Sequence, residues 1–268
     1  MKRFAAWPAW AFMLVFFALP LLALLPESLS DGGTAFGRVI GDNLFFAAMR
    51  NTILLGLISG AFSALAGMAI AIELARQPEH RRRWMLTLLG LPLAFSGLIV
   101  AYGFILGYGR AGFFTQILGF LGFDPSVVGK ALFTWWGLAF ASSYYLIPRV
   151  VMSLLPVLVN FDRAQLLAAE SLGATHRQAL RQVLLPQVAA PLAAAFCLVA
   201  AVVFGAYGTA LALVGTQLQI LPLQLYSLIS ETGSDFPAAA ALALMITATC
   251  ATVLTTGEWF GQRHERHL

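Results

Sequence analysis

The sequence predicts an all-α polytopic membrane protein, because 60% of its residues are hydrophobic and only 10% are charged, against about 25% charged in soluble domains. Six apolar runs are each long enough to cross the hydrocarbon core of a bilayer as a helix. One polar stretch, residues 160–186, separates the fourth run from the fifth and carries the signals of two short helices. The six predicted spans cover residues 7–26, 51–72, 84–106, 132–159, 191–213 and 238–256.

The second predicted span carries small residues at helical spacing. Gly56, Gly60, Ser63 and Gly67 recur on one face of this helix. Small residues at this spacing let two membrane helices approach closely. We expect this face to pack against another membrane helix; the alternative is chance placement in a chain rich in Gly and Ala.

Lysine and arginine residues predict the orientation of the spans. Eleven of the sixteen lie in the N-terminal segment, the segment 76–83, the stretch 160–186 and the C-terminal tail, whereas four lie in the opposite loops. Basic residues are enriched on the cytoplasmic side of membrane proteins. Both termini and the stretch 160–186 are therefore expected in the cytoplasm. The positive net charge is explained by this topology, and we expect no nucleic-acid partner.

The fourth span contains one charge and two prolines. Pro148 and Pro156 predict a kinked helix. Arg149, the remaining basic residue, falls inside the span, where an ionisable group points to function because leaving it in lipid is costly. The alternative is that Arg149 lies near the cytoplasmic end of the helix and extends its side chain to water. Its position, about seventeen residues after Leu132, favours this second interpretation.

The stretch 160–186 predicts two short helices joined by a turn, which we call the elbow. Asp162 can cap the first helix, with Gln165 returning the hydrogen bond. Gly173 is expected to end this helix, since glycine accepts a left-handed turn. Thr175 with Gln178 predicts a second capping box, so a second helix begins at once. The proline that closes the elbow suits the first turn of the next membrane helix.

The run LLAAESLGATHRQALRQVLLP, residues 166–186, resembles the EAA loop of inner-membrane permeases of binding-protein-dependent ABC importers. That loop reads E-A-A, three residues, Gly, a spacer, then a hydrophobic residue and Leu-Pro. The sequence departs from it at Leu167, where the family usually has Glu, and the nearest carboxylate is Glu170. The residues in register are Ala168, Ala169, Gly173, Leu185 and Pro186.

Weaker similarities extend over residues 51–256. Asn51-Thr52 resembles the start of the permease core in this family. The runs FGAYGTALALVG and LPLQLYSLIS resemble the branch that serves polyamines, ferric iron, thiamine and phosphonates. The resemblance implies three regions: residues 1–50 with the first helix and a periplasmic loop, residues 51–260 with the permease core, and residues 261–268 as a cytoplasmic tail.

The resemblance implies a permease subunit that forms half of the translocation pathway for a small polar solute. In the family a second permease subunit, homologous or identical, completes the pore. A pair of cytoplasmic ATPases grips the elbows, and a periplasmic binding protein delivers the solute. Closure of the ATPases is expected to move the elbow as a lever and to switch the core helices from inward- to outward-facing. The expected ATPase-coupling residues are Leu167, Ala168, Ala169, Glu170, Gly173, Ala174 and Pro186.

Polar residues of the charge-free fifth span and its following loop are candidates for the pathway. Tyr207, Thr209 and Thr216 carry hydroxyl groups that are useful facing water and costly facing lipid. The alternative for Thr209 is a hydrogen bond back to its own helix. Asn51, at the expected start of the second span, is a further candidate.

No catalytic residue, metal site or cofactor is expected. The chain lacks the G-x-x-x-x-G-K-[ST] loop that cradles ATP phosphates, so ATP hydrolysis is expected in a partner subunit. Its two cysteines lie in apolar segments, which favours packing over a disulfide. A stand-alone secondary transporter or channel is the alternative function, although such proteins usually carry ionisable residues at mid-membrane. An intramembrane enzyme is disfavoured because the sequence shows no nucleophile–base set.

Overall fold

The computed structural model describes residues 7–162, 164–230 and 234–265, and in these ranges it contains helices and connecting loops without a β-strand. The predicted all-α fold class is confirmed. Short π-helical turns cover Leu14–Ala18 and Leu180–Leu184. The α-helices are α1 (Trp7–Met13), α2 (Leu19–Leu29), α3 (Thr34–Gly41), α4 (Asn43–Arg76), α5 (Glu79–Ala94), α6 (Gly97–Tyr108), α7 (Phe113–Phe120), α8 (Pro125–Ala131), α9 (Trp135–Asn160), α10 (Ala164–Ser171), α11 (His176–Ala179), α12 (Leu185–Phe204), α13 (Tyr207–Val214), α14 (Leu221–Ser230) and α15 (Phe236–Glu265).

Six helical segments in the described ranges are long and apolar enough to cross a membrane, which agrees with the predicted number. The second span begins at Asn43, well before its predicted start at residue 51, because the helix continues through Arg50 and includes the apolar run of residues 44–49 before it. Several basic residues used to predict the orientation fall at residues 1–6, 163 and 266–268, outside the described residues. The six segments are Trp10–Leu29, Asn43–Arg76, Gly97–Phe120, Trp135–Asn160, His176–Phe204 and Phe236–Trp259.

The first of two compact units comprises the described residues of 1–51 and 219–251. Arg38 of α3 links two acidic residues within this unit. Its Nη2 atom donates to Asp31 Oδ2 at 2.7 Å and to Asp235 Oδ1 at 2.9 Å. Asp235 Oδ1 also accepts from the amide of Ala238 in the first turn of α15. This backbone hydrogen bond, and then Arg38, hold the pKa of the Asp235 carboxyl below its ordinary value.

The second unit comprises residues 52–218 and the described part of 252–268. Its core lies between α9 and α12, and α6 packs on α13 in the same unit. The α9 helix runs through Pro148 and Pro156 without interruption. The fully buried side chains of the α9–α12 core include Leu138, Leu146, Val150, Val151, Leu154, Val188 and Val199.

The small-residue face of α4 makes the close helix contacts that the sequence predicted. A Cβ atom added at Gly56 would lie 3.4 Å from the backbone oxygen of Ala200, so Gly56 lies against α12. A Cβ atom added at Gly60 would lie 3.1 Å from an aromatic ring of the same helix. At Gly67 it would lie 2.7 Å from the Val150 side chain on α9. Because non-bonded carbon atoms prefer 3.5–4.0 Å, α4 can approach both helices only through glycine.

Two predicted spans are wrong in the same way, because each is interrupted by a short non-helical break. The predicted span 84–106 ends as α5 at Ala94, and α6 begins at Gly97 after extended backbone at Phe95 and Ser96. The Ser96 hydroxyl caps α6 by accepting from the amide of Ile99. The predicted span 191–213 ends as α12 at Phe204, and α13 begins at Tyr207. Hydropathy averages over such breaks, which is why the spans were predicted as continuous.

Pro186 lies in the first turn of α12, as predicted, but the membrane helix does not begin there. The helical run begins in the elbow at His176, passes through the π-helical turn Leu180–Leu184 and continues to Phe204. Proline lacks an amide hydrogen, and its ring clashes with the carbonyl one turn earlier in a regular α-helix. The wider π turn, in which Leu185 N–H donates to Leu180 O, precedes the proline directly. The second helix of the elbow and α12 therefore form one continuous helix.

We predict opposite effects for the same substitution at two helical glycines. Gly67→Ala should destabilise the protein by about 1–3 kcal/mol, because the added methyl group overpacks the contact with Val150. Gly103→Ala in α6 is the matched control, since no atom lies within 4 Å of its added Cβ. It should stabilise its helix by about 0.5–1 kcal/mol. The midpoint of thermal unfolding in detergent measures the stability change of each variant. Shifts of the same sign and size in Gly67→Ala and Gly103→Ala would contradict the α4–α9 contact.

Candidate functional site

The first helix of the elbow, α10, begins at Asp162 as predicted. Asp162 Oδ1 accepts from the amide of Ala164 at 2.9 Å. The predicted hydrogen bond from the Gln165 side chain back to the start of the helix is wrong, because Gln165 Oε1 instead accepts from Gln187 Nε2 at 2.7 Å. Gln165 is thereby used to tie α10 to the start of α12. Arg163, between Asp162 and Ala164, lies outside the described part of the chain.

The turn of the elbow is built on Gly173, which has a φ of +92° as predicted. The amide of Gly173 donates to Glu170 O at 2.9 Å, and the amide of Ala174 donates to Ala169 O at 3.1 Å. This pair of hydrogen bonds is a Schellman motif, which ends a helix with a residue in the left-handed conformation. The direction in which the chain leaves α10 is therefore set by a backbone conformation that residues other than glycine rarely adopt.

The second elbow helix begins with the predicted capping box. Thr175 N–H donates to Gln178 Oε1 at 2.8 Å, and Gln178 N–H donates to Thr175 Oγ1 at 3.4 Å. A further contact joins the two elbow helices, since His176 Nδ1 lies 2.7 Å from Glu170 Oε1. Glu170, the carboxylate nearest to the position where the loop motif usually has Glu, therefore holds the elbow together from within.

The elbow presents two apolar side chains to solvent. Leu167 is 63% exposed and Leu172 is 91% exposed. The elbow also borders a cavity of about 490 Å³, which is lined in part by Ile72 and Arg76 of α4 and by Leu166 and Leu167 of α10. Among the predicted coupling residues, Leu167, Ala168 and Gly173 are exposed, and Ala169, Glu170, Ala174 and Pro186 are half-buried.

The two helix breaks of the second unit meet each other. Thr209 Oγ1 in α13 donates to Gly97 O at the start of α6, at 3.1 Å. A Cβ atom at Gly97 would lie 2.5 Å from this hydroxyl, and one at Gly208 would lie 3.1 Å from the backbone nitrogen of Leu98. Glycine at both positions is what allows the two helix starts to come this close.

A cavity of about 150 Å³ lies at these breaks and reaches Arg149 on α9. Arg149 is half-buried, and its Nη1 donates to the carbonyl of Tyr145 one turn earlier in the same helix. The guanidinium group lies 5.5 Å from the centre of the Tyr145 ring. The cavity is lined by Pro92, Phe95, Gly97, Tyr145, Arg149, Val202, Gly205, Ala206, Gly208 and Thr209.

The preferred interpretation of Arg149, a side chain that extends from the cytoplasmic end of its span to water, is wrong. Arg149 lies about 21 Å from the start of α9 and about 17 Å from its end at 1.5 Å per residue. Its hydrogen bond to Tyr145 directs the guanidinium group away from the elbow end of the helix. The sequence count began at Leu132, whereas the helix begins at Trp135 and extends to Asn160.

Residues 81–268 match the sequence profile of the family described as the binding-protein-dependent transport system inner membrane component. The matched range is more than half of the chain and includes the elbow and both helix breaks. The chain belongs to this family. We refer to it below as the permease component.

Two relatives that cover most of the chain are described as sulfate permeases. The sulfate transport system permease protein CysT of Salmonella typhimurium is 28% identical over 263 residues, which cover 96% of this chain and 92% of the relative. The corresponding protein CysW of Synechocystis sp. is 28% identical over 244 residues, which cover 89% and 86%. These relatives do not support the predicted branch for polyamines, ferric iron, thiamine and phosphonates.

A solved structure shows that the fold is shared with an importer. The permease component superposes on a chain of a bacterial alginate ABC transporter, solved in complex with an alginate pentasaccharide-bound periplasmic protein, with a TM-score of 0.78. The match covers 98% of this chain and 94% of that chain at 18% sequence identity, a level that shows the fold alone.

Family membership settles the broad function. The permease component is a multi-pass protein of the inner membrane and a subunit of an ABC importer, which works with a second permease, an ATPase in a separate subunit and a periplasmic binding protein. Permeases of this kind are not themselves enzymes. The alternative of a stand-alone secondary transporter or channel is therefore not supported.

The structure brings together two of the four predicted pathway residues of the permease component. Tyr207 and Thr209 both lie in the first turn of α13. Thr209 is buried and bonds to the carbonyl of Gly97, not to its own helix, so the predicted alternative for this residue is wrong. Asn51 lies within α4 and belongs to the other unit, where its Nδ2 donates to Gln219 O at 2.9 Å. The side chain of Thr216 lies outside the described part of the structure.

Two features of the site were not predicted from the sequence: the contact between the two helix breaks, and Tyr145 as a residue that lines the cavity. One signal was available: Ser96-Gly97 inside an apolar run is a helix start of the Ser-cap type. Gly205 and Gly208, close together near the end of the fifth predicted span, were a weaker signal of the same kind. No sequence signal relates Tyr145 to either break, because their contact is made by tertiary packing.

Proposed function

We propose that the elbow is the docking element through which a cytoplasmic ATPase pair drives this importer. The supporting observation is its construction: a Schellman turn, a capping box and the His176–Glu170 contact fix two short helices relative to each other. Exposed Leu167 and Leu172 supply an apolar surface that a cleft on the ATPase can bury. In this proposal Leu167 makes an apolar contact where the family usually has Glu.

The continuous helix from His176 to Phe204 supports a mechanical role for the elbow. It begins in the elbow and ends at the break beside Gly205. A movement of the elbow is therefore carried along one rigid element to the cavity at the helix breaks. The pathway residues that we retain are Tyr207 and Thr209, with Asn51 and Thr216 as further candidates. A second permease subunit, homologous or identical, completes the pathway in this proposal.

We place the elbow and both chain termini in the cytoplasm, because most of the lysine and arginine residues lie on that side. Residues 1–50 would then carry the first helix and a periplasmic loop, residues 51–260 the core, and residues 261–268 the cytoplasmic tail. The segment between Phe120 and Trp135, which contains α8, would face the periplasm, where the binding protein docks in this proposal.

We propose a small oxyanion of the sulfate type as the solute. Two sulfate permeases that cover most of the chain support this choice. A positively charged residue at the helix-break cavity agrees with an anionic solute, since a solute cation would be repelled there. The proposal replaces the predicted polyamine, ferric iron, thiamine or phosphonate class.

Valine at Gly173 should uncouple the elbow from its ATPase. The substitution strains the left-handed turn by about 1–2 kcal/mol and redirects α11 relative to α10. We expect a subunit that inserts normally but fails to co-purify with the ATPase and shows no solute-stimulated ATP hydrolysis.

The matched control for this experiment is Gly122→Val in the turn between α7 and α8. Gly122 has a φ of +93°, the same hydrogen-bond pattern and the same open surroundings as Gly173. It should leave ATPase attachment and stimulation intact. Normal stimulation in Gly173→Val, or equal loss in both variants, would show that the elbow geometry is not the coupling element.

Cysteine labelling should report opposite sides of the membrane for the elbow and the α7–α8 region. In a background without Cys197 and Cys250, Ser126→Cys should react with a membrane-impermeant maleimide in intact spheroplasts. Ser171→Cys in the elbow should react only after lysis; both serines are exposed, so access through the protein is equal. The reverse pattern would overturn the proposed orientation.

Uptake by the reconstituted importer should identify the solute class. We expect radioactive sulfate to accumulate in proteoliposomes that contain both permeases, the ATPase, the binding protein and ATP. Tetrahedral oxyanions should compete, and spermidine or thiamine should not. Accumulation of spermidine or thiamine in place of sulfate would overturn the anionic solute and leave the elbow proposal untouched.

A further inference from the structure

The Arg149 side chain is a charge inside a membrane-spanning helix that no acidic residue balances. It makes no ion pair within the described residues. Its contacts are the carbonyl and the ring of Tyr145 on the same helix. A half-buried guanidinium group in a span is costly unless something neutralises it. The Tyr145 contacts orient the group toward the cavity but carry no opposite full charge.

The start of α13 adds hydrogen-bond donors to the same cavity. Gly208 and Thr209 line the cavity and occupy the first turn of this helix, so their amides have no acceptor within it. No side chain caps the helix start. The carbonyl oxygens of the preceding helix end are partly occupied, since Val202 O accepts from Gly205 N–H and Val203 O from Ala206 N–H. The donors of this break are therefore more available than its acceptors.

Tyr145, which holds Arg149, carries a buried hydroxyl without a partner in the described part of the chain. Tyr145 also lines the cavity and is only 7% exposed, and its Oη atom has no hydrogen-bond partner among the described residues. Buried polar atoms without a partner are rare and costly. Because this oxygen has almost no accessible surface, it does not face the cavity, and the polar groups that a ligand could reach there are Arg149 and the first amides of α13.

The cavity itself is of a size that suits a small ion. Its volume of about 150 Å³ leaves room for several water molecules, and hence for a small tetrahedral oxyanion. The guanidinium group offers planar paired donors that match two oxygens of such an anion. A cation in this place would meet the unbalanced charge of Arg149, and an apolar solute would leave the donors without acceptors.

We infer that the helix-break cavity is a binding site for the transported oxyanion within the membrane, in which Arg149 supplies the charge and the amides of Gly208 and Thr209 supply hydrogen bonds. The inference rests on the proposed importer of a sulfate-type solute and assigns the site where this solute binds. Because α12 joins the elbow to Gly205 at the rim of the cavity, movement of the elbow changes the site that holds the anion.

Uptake by charge variants tests the role of Arg149. In the complete reconstituted importer, Arg149→Gln should lower sulfate uptake at least tenfold, because it removes the charge and keeps a polar side chain of similar shape. Arg149→Lys retains the charge and should restore a substantial part of the uptake. The matched control is Arg83→Gln, which removes an exposed arginine that pairs with Glu79 and should leave uptake unchanged. Binding-protein-stimulated ATP hydrolysis, measured in parallel, shows that each complex assembles and couples.

Protection of a cavity cysteine tests binding at the site directly and does not depend on transport. In a background without Cys197 and Cys250, an Ala206→Cys variant of the complete importer is alkylated with N-ethylmaleimide. Sulfate should slow the reaction several-fold relative to chloride at equal ionic strength. In the double variant with Arg149→Gln, sulfate should have no effect. If the Arg149→Gln importer does not assemble, sulfate protection of Ala206→Cys is measured with Arg149 intact and in the Arg149→Lys background. Sulfate should protect the cysteine in both.

The outcomes separate this inference from the proposed function. If the unmodified importer accumulates no oxyanion, the proposed solute is wrong. If it accumulates sulfate but Arg149→Gln transports normally, or if sulfate does not protect Ala206→Cys, then the importer stands and the binding site is not this cavity. A loss of uptake in Arg149→Gln that Arg149→Lys does not relieve, without sulfate protection, would show that Arg149 has a structural role only.

Discussion

The hydrogen bond from Thr209 Oγ1 to Gly97 O is the interaction on which the interior of the second unit depends. In a bilayer, backbone N–H and C=O groups must find partners inside the protein, so a broken helix is tolerated only where other parts of the chain surround the break. Here two breaks meet, and the start of each helix covers the other. Glycine at positions 97 and 208 permits this approach, since any side chain would separate the two backbones.

The same packing explains how distant parts of the permease component are mechanically joined. The α4 helix lies against α9 and α12 through glycines, and α9 and α12 share the buried core of the unit. One continuous helix connects the elbow at His176 with the break after Phe204, and the π turn before Pro186 is what keeps it continuous. The elbow and the helix-break cavity are therefore the two ends of one element. An importer that couples ATP hydrolysis on one side to a solute site within the membrane needs such a connection.

Features that depend on neighbouring residues were predicted correctly, whereas features that depend on distant segments were not. Local signals were sufficient for Gly173 and for the Thr175–Gln178 capping box, because both depend on residues within one or two turns. The predicted capping hydrogen bond of the Gln165 side chain is absent, because Gln165 Oε1 accepts from Gln187 on another helix. The prediction for Arg149 was wrong for a related reason. Its side chain is held by Tyr145 and lines a cavity formed with two other chain segments, 92–97 and 202–209, which distance along the helix does not reveal.

Composition, apolar run length and helix capping are properties of contiguous residues, so they were enough to predict the all-α class, the number of spans, the elbow with its turn, and the family. The positions of the helix breaks, and the cavity that the breaks form together, depend on packing between distant segments and became visible only in the folded chain. A hydropathy pattern cannot distinguish a continuous apolar helix from two short helices, since both bury the same side chains in lipid. The difference lies in the backbone hydrogen bonds of Phe95–Gly97 and Gly205–Thr209, whose partners are fixed by packing between segments more than a hundred residues apart.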